Sequence, residues 1–219
     1  MFVQNSKFNF KEVKNSIILN RIKNKFVIVL DFDGVITAPY ELKVKYLNKL
    51  GYNLSNNNCS RDSCLAIGIR ERDYEKASIH AYTSPPDVLP LEEGFLENFS
   101  KIRNLPNVLI FILTSRYDSM MGHMEEFLKY HNIKVDGVIN TNNLEKYISL
   151  KDFGAKVFVE DTLSKIKQIT IGWPDVFENC NLIFFKNAQN NLDKNNDERV
   201  GEVFGWKDLP SRILTLIPK

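Results

Sequence analysis

The chain has 219 residues, of which 43% are hydrophobic and 26% charged. This length favours one large domain, or one domain that carries an insertion. The 29 basic and 27 acidic residues leave a net charge of +2, which argues against a dedicated nucleic-acid-binding protein. The longest apolar runs are far shorter than the ~20 residues that cross a bilayer, and the first residues do not resemble a secretion signal. We therefore expect that the chain is not a membrane protein, a secreted protein or a fibrous protein.

Three cysteines, at positions 59, 64 and 180, are spread over the chain. Their spacing matches neither a disulfide framework nor a zinc-binding pattern. We expect reduced thiols and a cytoplasmic location.

In chain order, residues 1–24 carry scattered apolar positions that predict a leading helix. Short apolar runs then alternate with helical patterns, as in the apolar stripe over residues 120–131. The runs are 26–30, 108–113, 137–139, 157–159 and 182–185. Continuous β-branched runs are typical of strands that are covered on both faces. The sequence predicts an α/β protein with a doubly wound, Rossmann-like parallel sheet.

One connection between predicted strands is unusually long. No strand pattern occurs between Thr37 and Leu89, whereas connections in such folds are usually short. Prolines lie near both ends of this segment, and its apolar residues suffice for a small helical subdomain. We predict a core formed by residues 1–37 and 90–219, with a helical cap, residues 38–89, inserted after the first strand.

Two carboxylates and a glycine, Asp31, Asp33 and Gly34, follow the first predicted strand. Ligands bind at the carboxyl ends of strands in open α/β sheets, so an active site is expected here. An EF-hand is excluded because Val35 and Leu42 stand where oxygen ligands are required. A structural alternative remains, in which the two acids cap a strand and a turn.

Two further strand ends carry polar side chains. Thr114, Ser115 and Arg116 follow the second strand and suit phosphate oxygens, although a helix N-cap would use the same hydroxyls. Glu160 and Asp161 end the fourth strand. Buried acids that face one another need neutralisation, and all-oxygen ligation favours Mg²⁺ over zinc.

These motifs together resemble those of the haloacid dehalogenase (HAD) superfamily. The run Asp31-Phe32-Asp33-Gly34-Val35 is similar to its first motif, Thr114 to its second, and Glu160-Asp161 to its acidic fourth motif. The resemblance covers the chain from about residue 26 onward, the cap excluded.

The third motif of that superfamily is a lysine, and three lysines are candidates. Lys156 precedes the acids by four residues, about 13 Å along a strand, which places it at the wrong end. Lys146 lies near the start of the helix that follows the third strand, near the rim where the acids lie. We choose Lys146, with Lys151 held in reserve.

The resemblance implies a Mg²⁺-dependent phosphate-transfer site. Asp31 would be the nucleophile that forms an aspartyl-phosphate, and Asp33 the general acid and base. Thr114, Ser115 and Lys146 would hold the phosphoryl oxygens. Mg²⁺ would be bound by the Asp31 carboxylate, the Asp33 backbone carbonyl and Glu160 or Asp161. Members that cleave carbon–halogen bonds lack the second aspartate, so a dehalogenase is disfavoured.

The C-terminal third resembles the 5′-nucleotidase branch of the superfamily, which includes the deoxyribonucleotidases. The resemblance lies in the strand 182–185, Asn190, the pair Arg199-Val200 and Trp206. Trp206 is interpreted as a core anchor.

We therefore predict a phosphomonoesterase for nucleoside monophosphates, with a base stacked on a cap aromatic: Tyr46, Tyr74 or Tyr82. The expected partner is a small phosphorylated metabolite, with no nucleic-acid polymer and no membrane. Two alternatives stay open: a phosphatase for a sugar phosphate or phosphoglycolate, and a catalytically silent binding protein of the same fold. The sequence does not indicate an oligomeric state.

Overall fold

The computed structural model describes residues 22–142 and 146–218. Within these ranges, six strands form one sheet in the order β3-β2-β1-β4-β5-β6, and all neighbouring strands are parallel. The strands are β1 (Phe26–Leu30), β2 (Val108–Thr114), β3 (Gly137–Asn140), β4 (Val157–Glu160), β5 (Asn181–Lys186) and β6 (Gly201–Phe204). The five predicted strands are confirmed. The edge strand β6 escaped prediction because only Val203 of its four residues is buried, so it has no apolar run.

The described ranges also contain nine α-helices. They are α1 (Tyr40–Lys49), α2 (Arg61–Ala66), α3 (Glu71–Tyr82), α4 (Phe95–Arg103), α5 (Met121–Tyr130), α6 (Tyr147–Asp152), α7 (Leu163–Gly172), α8 (Pro174–Asn179) and α9 (Leu209–Leu216). Helix α5 confirms the pattern predicted over residues 120–131. The predicted leading helix falls almost entirely on residues 1–21, which lie outside the described residues.

Helices cover both faces of the sheet. Side chains alternate between the two faces along a strand, and in β1 Ile28 and Leu30 enter one hydrophobic cluster while Val27 and Val29 enter the other. Helices α4, α5 and α9 pack on the first face, and α6, α7 and α8 on the second. The structure thus confirms the doubly wound α/β fold.

Helices α1 to α3 lie in the segment inserted after β1. Their buried side chains form a third hydrophobic cluster, which contains Leu47, Cys64 and Tyr74. The two connections to the sheet run side by side, since the Ala38 N–H donates to the Pro90 carbonyl at 2.8 Å. A helical cap after the first strand is therefore present, while its division from the core at residues 38 and 89 stays a prediction.

Two further features of the described residues are the state of the cysteines and the length and polarity of the helices. Cys59, Cys64 and Cys180 are buried and form no disulfide. Burial raises the pKa of the Cys59 thiol to about 12, so this thiol is unreactive. In the part of the chain that the structure describes, every helix is too short or too polar to cross a membrane.

Candidate active site

A cavity of about 660 Å³ lies at the carboxyl ends of the central strands. The strand order places the topological switch point between β1 and β4, where open α/β sheets bind ligands. The predicted site residues that line this cavity are Asp31, Asp33, Thr114, Ser115, Lys146 and Asp161. From the opposite side, the cap contributes Lys43, Tyr74 and Tyr82 among others. The structure thus brings the predicted site residues together, between the sheet and the cap.

Asp31 is held at the end of β1 in a buried, charged environment. Its Oδ1 accepts the Phe32 N–H at 2.7 Å and lies 2.7 Å from Lys146 Nζ. Burial, reinforced by the negative charge of Glu160, raises the pKa of Asp31 to about 7. A cation bound beside this carboxyl would favour its charged form.

Of the three candidate lysines, the structure brings Lys146 to the acids. Lys146 is buried and also lies 2.9 Å from Glu160 Oε2. Lys151 points away and forms an exposed ion pair with Asp175 at 2.7 Å. Lys156 precedes β4, and its N–H donates to the Val27 carbonyl at 2.8 Å, away from the strand end that carries the acids.

The two acids that end β4 differ in their surroundings. Glu160 is completely buried and accepts the Thr162 N–H at 3.2 Å. Burial opposes its charge, but the ammonium groups of Lys146 and Lys165 hold the pKa of Glu160 below its usual value. Asp161 faces the cavity. Burial and the charges of Glu160 and Asp31 raise the pKa of Asp161 well above its usual value.

The acid cluster has the chemistry of a magnesium site. Asp31, Glu160 and Asp161 each offer one carboxylate oxygen, and these oxygens lie within 4.8 Å of one another. Mg²⁺ prefers oxygen ligands. The raised pKa values of Asp31 and Asp161 reflect burial and the repulsion between neighbouring acids, and a divalent cation would relieve that repulsion. The residues present therefore fit the metal.

Asp33 is engaged by a buried arginine. Arg116 Nε and Nη2 donate to the two Asp33 carboxylate oxygens at 2.8 and 2.7 Å. The guanidinium lies 4.8 Å from the ring centres of both Phe32 and Tyr82, and it donates to the Tyr82 carbonyl at 3.1 Å. The sequence suggested that Arg116 binds phosphate, whereas the structure shows it bound to Asp33 and to the end of cap helix α3.

The hydroxyls after β2 border the cavity. Thr114 is buried, and its hydroxyl accepts the Arg116 N–H at 3.2 Å. Ser115 is half-buried. The alternative that these residues cap a helix is wrong, because α5 and the short 3₁₀ turn before it have Met120 and Tyr117 as their N-caps.

The loop that carries Asp31 and Asp33 is fixed by residues from the C-terminal third. Asn187 Nδ2 donates to the Gly34 carbonyl at 2.7 Å, and Trp206 Nε1 donates to the Val35 carbonyl at 2.6 Å. Trp206 is fully buried, which confirms its interpretation as a core anchor. Gly34 has a φ of +90°, and a Cβ there would lie 2.0 Å from Asp161 Oδ2. Only glycine suits this position.

Among the polar residues of the cavity that sequence reasoning missed are Lys43, Lys165 and Gln189. Lys43 occupies a position on the inward stripe of α1, three residues after Tyr40 and four before Leu47. The sequence signal for Lys43 is therefore a charged residue at a helix position where apolar residues recur. Lys165 lies in the first turn of α7, and its Nζ is 3.6 Å from Glu160 Oε1. Because α7 begins directly after the acidic end of β4, a lysine in its first turn is expected to lie near those acids. Gln189 gives no sequence signal.

The cap aromatics are divided between two environments. Tyr74 and Tyr82 line the cavity. Tyr46 packs against His80 with ring centres 5.2 Å apart, and it is not among the lining residues. The structure therefore leaves two of the three tyrosines in position to meet a ligand.

Comparison with known proteins identifies the fold. No protein-family model and no curated protein sequence matches the chain. Similar solved structures include a conserved haloacid dehalogenase-like protein of unknown function from Agrobacterium tumefaciens, with a TM-score of 0.60 and 16% identity over 88% of this chain and 99% of that one. A HAD hydrolase of family IA, variant 3, from Entamoeba histolytica has a TM-score of 0.54 and 15% identity, with 87% and 98% covered.

A candidate β-phosphoglucomutase from Thermotoga maritima is also similar, with a TM-score of 0.51 and 10% identity over 88% of this chain and 100% of that one. These similarities, at 16% identity or less, support the resemblance at the level of the fold and do not support the 5′-nucleotidase branch. The chain has the fold of the HAD-superfamily hydrolases.

Proposed function

We propose that the chain is a Mg²⁺-dependent phosphomonoesterase that acts on a small phosphorylated metabolite. The observation that carries the proposal is the cluster at the ends of β1 and β4, where a buried carboxylate, Asp31, lies beside Lys146 and an all-oxygen cation site. A carboxylate needs these neighbours to approach an anionic phosphate, because bare charges would repel each other.

In this proposal Asp31 is the nucleophile. One Asp31 carboxylate oxygen attacks phosphorus, the bond between phosphorus and the ester oxygen breaks, and an aspartyl-phosphate results. Asp33 gives a proton to the departing oxygen and then takes one from the water that hydrolyses the aspartyl-phosphate. Inorganic phosphate is released and the Asp31 carboxylate is regenerated.

The metal would be held by the Asp31 carboxylate, the Asp33 backbone carbonyl and Asp161. Asp161 is preferred to Glu160 as the direct ligand because Asp161 lines the cavity and Glu160 does not. When bound, Mg²⁺ neutralises negative charge on the transferring phosphoryl group. Glu160 then serves to hold Lys146.

Thr114, Ser115 and Lys146 hold the phosphoryl oxygens in this proposal. All three line the cavity together with Asp31. Their hydroxyls and ammonium suit the charge that moves onto these oxygens during transfer. Lys165, 3.9 Å from Asp31 Oδ2, adds positive charge to the same end of the cavity.

Two substrate classes are compatible with this site. The sequence predicts nucleoside monophosphates, while the similarity to a candidate β-phosphoglucomutase fits a sugar phosphate equally well. The catalytically silent alternative is disfavoured because the acids, the hydroxyls and the lysine that catalysis requires all meet in one cavity. A panel of phosphorylated metabolites assayed for phosphate release separates the two substrate classes.

The central test is hydrolysis of an aryl phosphate by the purified chain. Mg²⁺ should support turnover, and a chelator should abolish it. Ca²⁺ should inhibit, because its looser coordination shell does not hold the groups in line. Asp31→Asn should lower kcat by about 10⁴-fold or more, while the exposed control Asp175→Asn keeps wild-type activity. Full activity in chelator would refute the metal site, and an active Asp31→Asn variant would refute the covalent route.

A further inference from the structure

Lys43 is a buried cation on the cap wall of the cavity. Its side chain projects from helix α1, and only 2% of the residue is exposed. It nevertheless lines the same cavity as Asp31 and Asp33. A buried ammonium is costly unless it is hydrogen-bonded and its charge is matched, so the partners of Lys43 are informative.

The hydrogen-bond partners of Lys43 are uncharged. Its Nζ donates to Gln189 Oε1 at 2.8 Å and to the Tyr74 hydroxyl at 3.2 Å. The ammonium also lies 5.3 and 5.9 Å from the ring centres of Tyr74 and Tyr82. Gln189 lies between Lys43 and Asp161, since its Oε1 accepts from Lys43 and its Nε2 donates to Asp161.

The other buried cations of the cavity are paired directly with carboxylates. Arg116 binds Asp33 at 2.7 Å, and Lys146 binds Asp31 at 2.7 Å and Glu160 at 2.9 Å. Among the described residues, Lys43 has no ion pair of this kind. If Asp161 binds a metal cation, its charge is no longer available to Lys43, and the ammonium faces the cavity without a counter-charge.

We infer that Lys43, Tyr74 and Tyr82 form an anion-binding subsite for the leaving group of the substrate. This inference rests on the proposed phosphatase function and names its substrate class: a phosphate ester that carries a second anionic group, either a carboxylate or another phosphate. The ammonium and the Tyr74 hydroxyl donate to that group, while the tyrosine rings enclose the carbon skeleton. A nucleobase stacked on these rings would have to displace the ammonium that already lies over them.

The test compares substrates that differ only in the second anion. The carboxylate pair is 3-phosphoglycerate against glycerol 3-phosphate, and the phosphate pair is fructose 1,6-bisphosphate against fructose 6-phosphate. In at least one pair, the kcat/KM of the wild-type enzyme should favour the doubly anionic member by about tenfold or more. The pair that responds identifies the anion. A ratio near one in both pairs overturns the inference.

Variants assign that preference to Lys43. Lys43→Met should bring the ratio close to one, and Lys43→Arg should restore part of it. The matched control Lys45→Met changes an exposed lysine on the same helix and should keep the wild-type ratio. If Lys43 merely holds the cap against Gln189, Lys43→Met will change both members of a pair equally and the ratio will stay, which also overturns the inference.

A binding measurement separates failure of this inference from failure of the proposed function. Thermal unfolding of the wild-type protein with glycerate and with glycerol needs no catalysis. Greater stabilisation by glycerate, lost in Lys43→Met, supports the subsite even in a chain that hydrolyses nothing. Equal shifts with the two compounds, together with a ratio near one in both substrate pairs, in a chain that does hydrolyse an aryl phosphate, would retain the phosphatase and reject the subsite.

Discussion

The two walls of the cavity differ in how they neutralise buried positive charge. On the wall formed by the sheet, Lys146 and Arg116 each contact carboxylates at 2.7 Å. On the wall formed by the cap, Lys43 contacts an amide oxygen and a phenol. The cations of the first wall are therefore matched by carboxylates without a ligand, whereas the second wall retains a cation without a counter-charge that faces the cavity.

This difference separates two tasks. Paired charges can hold reacting groups at fixed distances. A phosphoryl group or a metal ion that binds at this wall has to replace contacts that the paired groups already make with each other. A cation without a counter-charge can form a new ion pair with a ligand that carries an anionic group, and that pair stabilises the bound ligand. We therefore assign the chemistry to the sheet wall and substrate selection to the cap wall.

After the loss of the nucleophile Asp31, the largest effect is expected from Asp33 on the sheet wall. Asp33→Asn preserves the shape but cannot give a proton to the leaving oxygen, and general acid–base catalysis contributes ~10²–10⁴-fold. Steady-state kinetics should show the full loss with an alkyl phosphate and a much smaller loss with an aryl phosphate, which needs no proton. Equal losses for the two substrates would contradict the acid role of Asp33.

Arg116 tests whether the pairing on the sheet wall stabilises the fold. Arg116→Met leaves the Asp33 carboxylate, whose side chain is 11% exposed, without its partner, and loss of one member of a pair that is largely buried typically costs about 3–5 kcal/mol. Urea denaturation should show this decrease in the free energy of unfolding.

Arg103→Met is the matched control for Arg116. Arg103 forms a similar two-pronged pair with Asp136, at 2.9 and 3.1 Å, but a third of its side chain is exposed. Pairs screened by water contribute ~0–1 kcal/mol. Similar losses in the two variants would contradict the view that burial makes the Asp33 pair important.

The sheet wall was largely predictable from the sequence. Apolar runs reveal strands, and in a parallel sheet the strand ends meet at one edge, so residues that directly follow strands are brought together whatever the helices do. Asp31, Thr114 and Asp161 were found in this way. Lys146 required the family resemblance as well, because spacing alone did not separate it from Lys151.

The cap wall was not predictable in the same way. Lys43 and Gln189 come from elements far apart in the chain, and their meeting depends on how the cap packs on the sheet. No local pattern encodes that packing. For Arg116, the sequence indicated an anion partner but not whether that anion was a phosphate or the carboxylate of Asp33.

The choice between Lys146 and Lys151 gives a smaller effect than Asp33. Lys146→Met removes a donor to the phosphoryl oxygens, and loss of one such donor costs ~10²–10³-fold in kcat. Lys151→Met removes only an exposed pair with Asp175, in which both side chains are more than half exposed, and should keep wild-type kinetics. The rate of aryl phosphate hydrolysis by the two variants decides between the lysines. A loss in Lys151→Met with wild-type kinetics in Lys146→Met would assign the phosphate site to Lys151.

The smallest effect is the pH dependence of stability in the metal-free protein. Burial and the charge of Glu160 raise the pKa of Asp31 to about 7, and burial raises the pKa of Glu92 to about 8. In the unfolded chain these groups lose their protons near pH 4. Between pH 4 and 8 the folded chain therefore binds more protons than the unfolded chain, so its stability should fall as pH rises. Glu160 does not change this slope, because its lowered pKa keeps it charged in both states above about pH 6.

Calorimetry with and without Mg²⁺ tests this dependence. From pH 6 to 8, the part of this fall that is due to Asp31 should be about 1–2 kcal/mol, or a few degrees in Tm for a chain of this size. Mg²⁺ competes with a proton for Asp31, so its stabilising effect should be larger at pH 8 than at pH 6. Asp31→Asn should reduce both trends, because an amide does not titrate, while Glu92 keeps its part of the pH dependence. A Tm that rises with pH in the wild-type protein would show that the acids of the sheet wall are neutralised by their lysines alone and have no need of a metal ion.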